Sequence, residues 1–359
     1  MTALRILSCG PGVTVQDGGR HGYLRYGVTV AGPMDALAHA VANRAVGNRE
    51  DSAALEVSLG GIELTAEDGP LTIAVAGGAF QTTLDDQPLP AAVVATLEPG
   101  AKLRLRAGAA GMWCYLAVAG DLDLPAVLGS RATHARTGMG GLDGRMLQAG
   151  DRIAVSPPGR GAADGGAIVA QLLDRPADIV RVLPGPQQDY FAEDQVAAFL
   201  AGPWRISPRG DRMACFLEGP VLRHAGGFNI PSDGVAMGAI QVPGEGQPIV
   251  LMADRQSTGG YPKIATVIGA DLGRLAHRDR LQGRVAWRGG PRPGGAAGVP
   301  RCADRDRAAQ AGPVQLRIPA RPEPRRRLDR RAAARLNGRA SVPQAASSIK
   351  VATKRTSSL

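Results

Sequence analysis

The sequence predicts a mainly β fold with a few helices, split into two domains and followed by a basic tail. Three observations predict it. Apolar residues recur in short alternating or β-branched runs, at 54–59, 62–65, 71–76, 92–97, 103–106 and 112–118, with Gly, Pro or Asp between them. Helical spacing holds clearly in two stretches, 35–46 and 192–200. Past residue 275 the composition shifts to Arg, Ala, Gly and Pro with no lasting period.

Residues 4–7 read as a first strand, ended by the turn Gly10-Pro11-Gly12. A polar loop at 16–20 follows, and 22–30 reads as a strand edge. Pro33-Met34-Asp35 opens the helix at 35–46, whose Leu37, Val41 and Val46 give one apolar face before Gly47-Asn48 stops it. The strand runs then build an N-terminal β-rich domain over 1–156. The Gly-rich stretch 137–145 within it can hold an anion through backbone N–H groups. Residues 157–177 begin with PPGRGAADGG and read as a linker. A second domain over 178–277 carries strands at 179–183, 204–207, 213–217, 237–242 and 248–253 around the helix at 192–200. Residues 278–359 read as a disordered basic tail, either a frameshift product or a genuine extension.

The formal charge of +10 points to nucleic acid until it is divided. From Arg278 on there are 20 Lys+Arg and 5 Asp+Glu, against 22 and 27 before it. The body is mildly acidic, so no nucleic-acid partner is expected for it. Cys9, Cys114, Cys215 and Cys302 form no Cys-x-x-Cys pair, and no secretory segment precedes them. A reduced, cytoplasmic setting follows. The five histidines are scattered and make no metal-ligand spacing, so no metal is expected. Nor does any apolar run approach the ~18 residues of a membrane helix.

Chemistry concentrates in residues 232–268. After the hairpin come Asp254, Arg255, Gln256, Ser257, Thr258, Gly259, Gly260, Tyr261, Pro262 and Lys263 in succession. A core has no use for so many polar groups, each of which costs free energy when buried alone. Gly259 and Gly260 let the main chain turn and come close to a ligand. The chain has four lysines, Lys102, Lys263, Lys350 and Lys354, among many arginines. A lysine kept in such a motif points to chemistry that a flat, permanently charged guanidinium does not offer, and Lys263 is the first candidate for a catalytic group. Arg212 reads as a structural partner for a nearby acid. No Gly-Lys pair occurs, hence no Walker motif.

The stretch GAIQVPGEGQPIVLMADRQSTGGYPKIATVI closely resembles the signature of the carboxyltransferase family found in urea amidolyase and in the C-type chain of 5-oxoprolinase. The opening VQDGGRHGYLRYGVTVAGPMDALAHAVANRAVGNREDSAALEVSLGG is similar to the same family, and the resemblance runs from about residue 4 to 276. It implies cyclophilin-like β-barrels for both domains. It also implies one of three roles: ATP-dependent opening of 5-oxoproline, carboxyl transfer from carboxybiotin, or non-enzymatic regulation of a partner protein. A stand-alone chain without biotin-carboxylase or biotin-carrier segments fits best as the C-type chain of a 5-oxoprolinase. The expected partners are a B-like companion of the same family and a lactam-utilising A-type chain. ATP is expected through the complex, and carboxybiotin is the alternative, delivered by a partner.

An amide carbonyl needs donors at its developing oxyanion. Lys263, Arg255 and the main chain at Gly259-Gly260 suit that role, and Asp254 suits proton transfer. Gln241 and Gln256 offer recognition groups, with Ser257, Thr258 and Tyr261 beside them. Gln16, Asp17 and Arg20 form a second polar cluster, expected to share one cleft with Lys263. Asp35 is either a substrate-binding group or a favourable charge in a helix's first turn.

Overall fold

Alternation of apolar and polar residues builds the first sheet of the computed structural model, which describes residues 2–157, 166–168, 173, 179–277, 283–286 and 314–317. The two longest strands, Leu71–Leu84 and Leu103–Val118, pair antiparallel and form its spine. The sheet has eleven strands, running from Gly166–Ala167 through Val93–Leu97, the spine, Ile62–Glu67, Ala3–Cys9 and Arg152–Ser156 to Asp121–Leu122. Thr14–Gln16 pairs with Ala54–Val57, which lies on Leu103–Val118. Leu4, Ile6, Leu55, Leu64, Ile73, Leu103 and Leu116 fill the core beneath it. The helix α1 (Ala36–Ala45) packs on this sheet through Ala38 and Ala42, whose small side chains permit close approach to Ala74, Ala76 and Tyr115.

The second assembly is a closed barrel. Its strands run Ile179–Pro184, Lys263–Val267, Ala239–Gln241, Ile249–Leu251, Ala214–Glu218, Pro203–Ile206, Gly283–Ala286 and Val314–Arg317, and the last pairs with the first. Closure removes every free sheet edge. Helix α2 (Glu193–Ala201) buries Phe199 beside Trp204, whose indole N–H donates to the Phe199 carbonyl at 2.7 Å. Met34 and Trp113 from the first sheet's side belong to the same apolar cluster as Ile240, Val250, Met252 and Leu275. Sheet and barrel therefore share a core. Among the described residues no helix is long and apolar enough to cross a membrane.

The mainly β class with few helices is as expected, and α1 and α2 lie within two residues of their expected places. Several local readings differ. Residues 22–30 hold a single 3-10 turn, Leu24–Tyr26, instead of a strand edge, with Gly27 at φ 83° ending it. Within the expected linker, Gly166–Ala167 adds a strand beside Val93–Leu97. Within the expected tail, Gly283–Ala286 and Val314–Arg317 close the barrel; the remainder of 278–359 lies outside the described residues. Strand pairing draws on main-chain N–H and C=O groups that nearly every residue carries, so a poor apolar composition did not announce these strands. Helix α3 (Gly269–Ala276) was not anticipated either, being only eight residues long.

Candidate functional site

Lys263 starts the barrel strand Lys263–Val267 and pairs in register with Gln241. Its side chain is 4% exposed, and its Nζ donates to Asp233 Oδ2 at 2.9 Å, a carboxylate that is itself 54% exposed. The strand's register explains the burial: Lys263 takes an inward position that an apolar residue usually fills. Its main-chain N–H donates to Gln187 Oε1 at 3.3 Å. The Lys263 hydrogen bond holds the Asp233 carboxyl below its ordinary pKa against partial burial, helped by the Lys263 charge, the Gly234 N–H and Gln187. A compact cation thus stands inside the wall with a half-solvated anion as its outlet.

A two-stranded ribbon frames this pair. Asp233–Gly234 runs antiparallel to Thr258–Gly259, with Asp233 opposite Gly259. Gly259 is a matter of space: a Cβ there would sit 2.3 Å from Gln241 Nε2. Gln241 is buried, and its Nε2 donates to the Tyr261 carbonyl at 3.4 Å. The Gly260 carbonyl accepts from Ile230 N–H at 2.9 Å, and the Ser257 carbonyl accepts from Val235 N–H at 3.1 Å. Thr258 and Tyr261 are exposed, and the buried Oε1 of Gln256 has no partner. Lys263, Gln241 and Gly259 thus come together as one group. Asp233 and Gln187 complete it, and sequence reasoning missed both. Asp233 stands in the Ser232-Asp233-Gly234 sequence at the head of the motif, which was the available signal.

Asp254 and Arg255 are placed differently from their neighbours in sequence. Both Asp254 oxygens accept from the Arg212 guanidinium, at 2.9 and 2.8 Å. Arg212 also donates to the Gly32 carbonyl at 2.8 Å and to Glu56 Oε1. Glu56 Oε2 in turn accepts from the Met34 N–H at 2.8 Å and the Tyr115 hydroxyl at 2.7 Å. Burial and the Glu56 carboxylate push the Tyr115 hydroxyl well above its ordinary pKa. The structural pairing expected of Arg212 is present, and Asp254 is one of its two acids. Arg255 is buried and donates to the Val235 carbonyl at 3.1 Å and the Met252 carbonyl at 3.4 Å; burial pulls its pKa down. It pins the ribbon from beneath.

In the second cluster, Asp17 Oδ1 accepts from Gly19 N–H at 2.9 Å and Ser130 Oγ at 2.6 Å, while Oδ2 accepts from Arg131 N–H at 2.5 Å. These donors lie outside the Gly-rich stretch 137–145, so the anion they hold is the chain's own carboxylate. Arg20 is fully buried, and its Nε and Nη2 donate to the carbonyls of Val127 and Ala132, each at 2.9 Å. Burial draws its pKa down and the Asp17 charge opposes this. Gln16 donates to Thr14 Oγ1 at 2.9 Å and the Thr133 carbonyl at 3.1 Å. Asp35 caps α1, its Oδ1 accepting from Leu37 and Ala38 N–H at 3.1 and 3.2 Å, and its Oδ2 lies 2.8 Å from His277 Nε2. Residues 29–32 connect the two clusters. Val30 O accepts from Arg20 N–H at 2.7 Å, Thr29 Oγ1 donates to the Ala253 carbonyl at 3.3 Å, and Gly32 meets Arg212. Among the described residues, no group of three His, Cys, Asp or Glu gathers to hold a metal ion.

The sequence family of the carboxyltransferase domain, subdomains A and B, matches residues 26–283. The C-type chain of 5-oxoprolinase from Escherichia coli (strain K12) is 40% identical over 274 residues, which cover 76% of this chain and 87% of that protein. Urea amidolyase of Lachancea kluyveri is 32% identical over 307 residues, covering 78% of this chain and 17% of that protein. The solved structure of K. lactis urea amidolyase matches with a TM-score of 0.71 at 31% identity, over 77% of this chain and 18% of its own. The chain thus spans less than a fifth of the urea amidolyases it resembles, but most of the length of the oxoprolinase chain. It belongs to the carboxyltransferase-domain family of urea amidolyase and the C-type chain of 5-oxoprolinase.

Proposed function

We propose that this chain is the C-type member of a cytoplasmic, ATP-dependent 5-oxoprolinase complex that opens 5-oxoproline to glutamate. The observation that carries the reading is the Lys263–Asp233 pair, an ammonium 4% exposed held at 2.9 Å against a carboxylate 54% exposed. A lactam carbonyl gains electrophilicity when a cation sits at its oxygen as charge develops. Lys263 supplies that cation without a large solvent shell to strip, and Asp233 holds it in one position. Gln241 and the main chain at Gly259 border the pair and orient the ring's amide.

The similarity to an oxoprolinase chain over 87% of its length supports this reading over carboxyl transfer. The arginines beside the site do not fit a triphosphate: Arg212 spends its donors on Asp254, Glu56 and Gly32, and Arg255 donates to main-chain carbonyls. In this reading ATP acts at residues contributed by the companion chains, one a B-like relative and the other a lactam-utilising A-type chain.

The test is to co-purify the chain with those companions and supply ATP with either 5-oxoproline or, with a biotin carboxylase and its biotinylated carrier added, urea plus bicarbonate. ADP and glutamate should form with 5-oxoproline. Turnover of urea with bicarbonate alone, needing a biotinylated partner, would replace this reading with carboxyl transfer. No turnover with either, together with binding that inhibits a partner enzyme, would replace it with regulation.

A further inference from the structure

The turn that follows strand Ile179–Pro184 lies against the start of strand Lys263–Val267. Gly185 N–H donates to the Ile264 carbonyl at 2.9 Å, and Gln187 N–H donates to the Lys263 carbonyl at 3.4 Å. The approach is so close that a Cβ on Gly185 would lie 1.9 Å from the Lys263 carbonyl oxygen. The Gln187 side chain turns back onto the same residue, its Oε1 accepting from the Lys263 main-chain N–H at 3.3 Å. Both main-chain polar groups of Lys263 are thus bonded to Gln187.

That contact assigns the amide. A main-chain N–H only donates, so Oε1 faces Lys263 and the two protons on Nε2 are left for another partner. The Gln187 side chain is also hydrogen-bonded to the Asp233 carboxyl, and an ionised carboxylate only accepts, so Nε2 is the donor there. The same carboxylate accepts from Lys263 Nζ on Oδ2 at 2.9 Å and from Gly234 N–H on Oδ1 at 2.7 Å. The charged group that faces Asp233 is Lys263, and its hydrogen bond leads in holding the pKa down, with Gly234 and Gln187 adding to it.

Asp233 is half-exposed, and a half-exposed carboxylate with one partner is free to change rotamer. Three donors from three elements remove that freedom: the ammonium from the barrel strand, the N–H from the ribbon and the amide from the 185–188 turn. An ammonium has three N–H donors in fixed directions, so the bond to Asp233 sets where the other two point. We propose that Gln187 is a positioning residue, tying Asp233 to the Lys263 main chain and so aiming the remaining Lys263 protons at the reacting oxygen. That this oxygen is a lactam carbonyl rests on the function proposed above; the tie itself does not.

Two variants separate this role from a structural one. Gln187→Met fills similar space and removes both amide contacts. The Asp233 midpoint is read from carboxyl 13C resonances of the aspartate-labelled full-length chain, its signal identified by loss in Asp233→Asn. In Gln187→Met it should rise by about half a pH unit or more, because a donor to the charged form is gone. In the assembled complex kcat should fall about tenfold or more while KM stays within about twofold, since the lost contacts are to Lys263 and Asp233 and not to substrate. Gln187→Glu keeps the acceptor for the Lys263 N–H and should melt like wild type. Near about pH 8 its carboxylate repels Asp233, and kcat should fall at least as far. Toward about pH 6 the two carboxyls share a proton and an O–H replaces the lost N–H, so the ratio of variant to wild-type kcat should climb about threefold or more.

A Gln187 that serves folding alone would lower the melting temperature of Gln187→Met and leave the Asp233 midpoint in place. It would also give Gln187→Glu a wild-type kcat at every pH, and these results would overturn the proposal. If Gln187→Met does not fold, the Gln187→Glu pH series decides. If the wild-type complex turns over urea with bicarbonate and not 5-oxoproline, the function reading fails, and the same comparisons made on urea still judge Gln187. With turnover of neither, the Asp233 midpoint decides in whichever variant folds: a shift retains the tie, and no shift overturns it.

Discussion

Lys263 carries its charge where the barrel wall meets the two-stranded ribbon, and the shape of that charge matters there. Lys263→Arg keeps the sign but replaces a compact ammonium by a flat, longer guanidinium at a position 3% exposed. The variant complex should assemble and lose activity by about 10²-fold or more, the usual effect of displacing one oxyanion donor. Wild-type turnover would make Lys263 an ordinary ion-pair residue. In the sequence Asp254 reads as a proton-transfer group, Asp17 as a binding group, and Asp35 as either a binding group or a charge in the helix's first turn. Each is matched inside the fold instead: Asp17 by Ser130 and Arg131, Asp35 by the first turn of α1 and His277, and Asp254 by both nitrogens that Arg212 turns toward it. A side chain's type is legible in a sequence, but whether its bonding capacity is already filled is not.

At the scale of elements, α3 is bolted to the strand Ile179–Pro184 by one buried acid. Asp271 Oδ2 accepts from the Arg181 N–H at 2.6 Å and from its Nε at 3.1 Å, while Oδ1 accepts from Arg181 Nη2 at 2.9 Å and Arg274 Nη1 at 3.1 Å. Burial alone would raise the Asp271 pKa, but the hydrogen bonds from Arg181 and the charge of Arg274 outweigh it and hold the carboxyl below its ordinary value. A carboxyl depressed in the folded state adds stability above its unfolded pKa of ~4, and that stability is lost as pH falls through the folded value. Asp271→Asn should therefore destabilise the chain at neutral pH by about 3 kcal/mol, near the low end for a broken buried pair because Arg181 remains partly solvated. The loss should shrink toward pH 3, as chemical denaturation across pH will show. An equal loss at every pH would point to packing instead of charge.

For the whole molecule, one ion-pair network joins sheet and barrel, and two strands close the barrel. Arg212 stands between Glu56 of the first sheet and Asp254 of the barrel, with Glu56 fully buried. Arg212→Met should cost about 3–5 kcal/mol, because it strands a carboxylate away from water. Adding Glu56→Gln should restore part of that loss, and strict additivity in urea unfolding would show that the two groups are not coupled. Closure of the barrel depends on Gly283–Ala286 and Val314–Arg317. Truncation after residue 277 removes both and opens the edges of Pro203–Ile206 and Ile179–Pro184, so that form should melt lower and aggregate. Truncation after residue 320 keeps every described strand and should melt like the full chain. Equal melting of the two shorter forms would mean that closure contributes nothing to stability.

The sequence by itself determined the mainly β class and the positions of α1 and α2, and it marked the stretch 254–263, with Lys263 in it, as the place where polar chemistry is expected. These rest on local information: the period of apolar residues, capping and turn residues, and an unusual residue type in an unusual place. Tertiary structure alone decided which polar groups meet. Asp233 is thirty residues before Lys263, and Glu56 is 156 before Arg212. Thr133 meets Gln16 across 117 positions. No periodicity links such positions, because strand register and barrel closure choose the neighbours. The same holds for the two closing strands: backbone hydrogen bonding to a distant partner fixes them, and nothing in their own composition demands it.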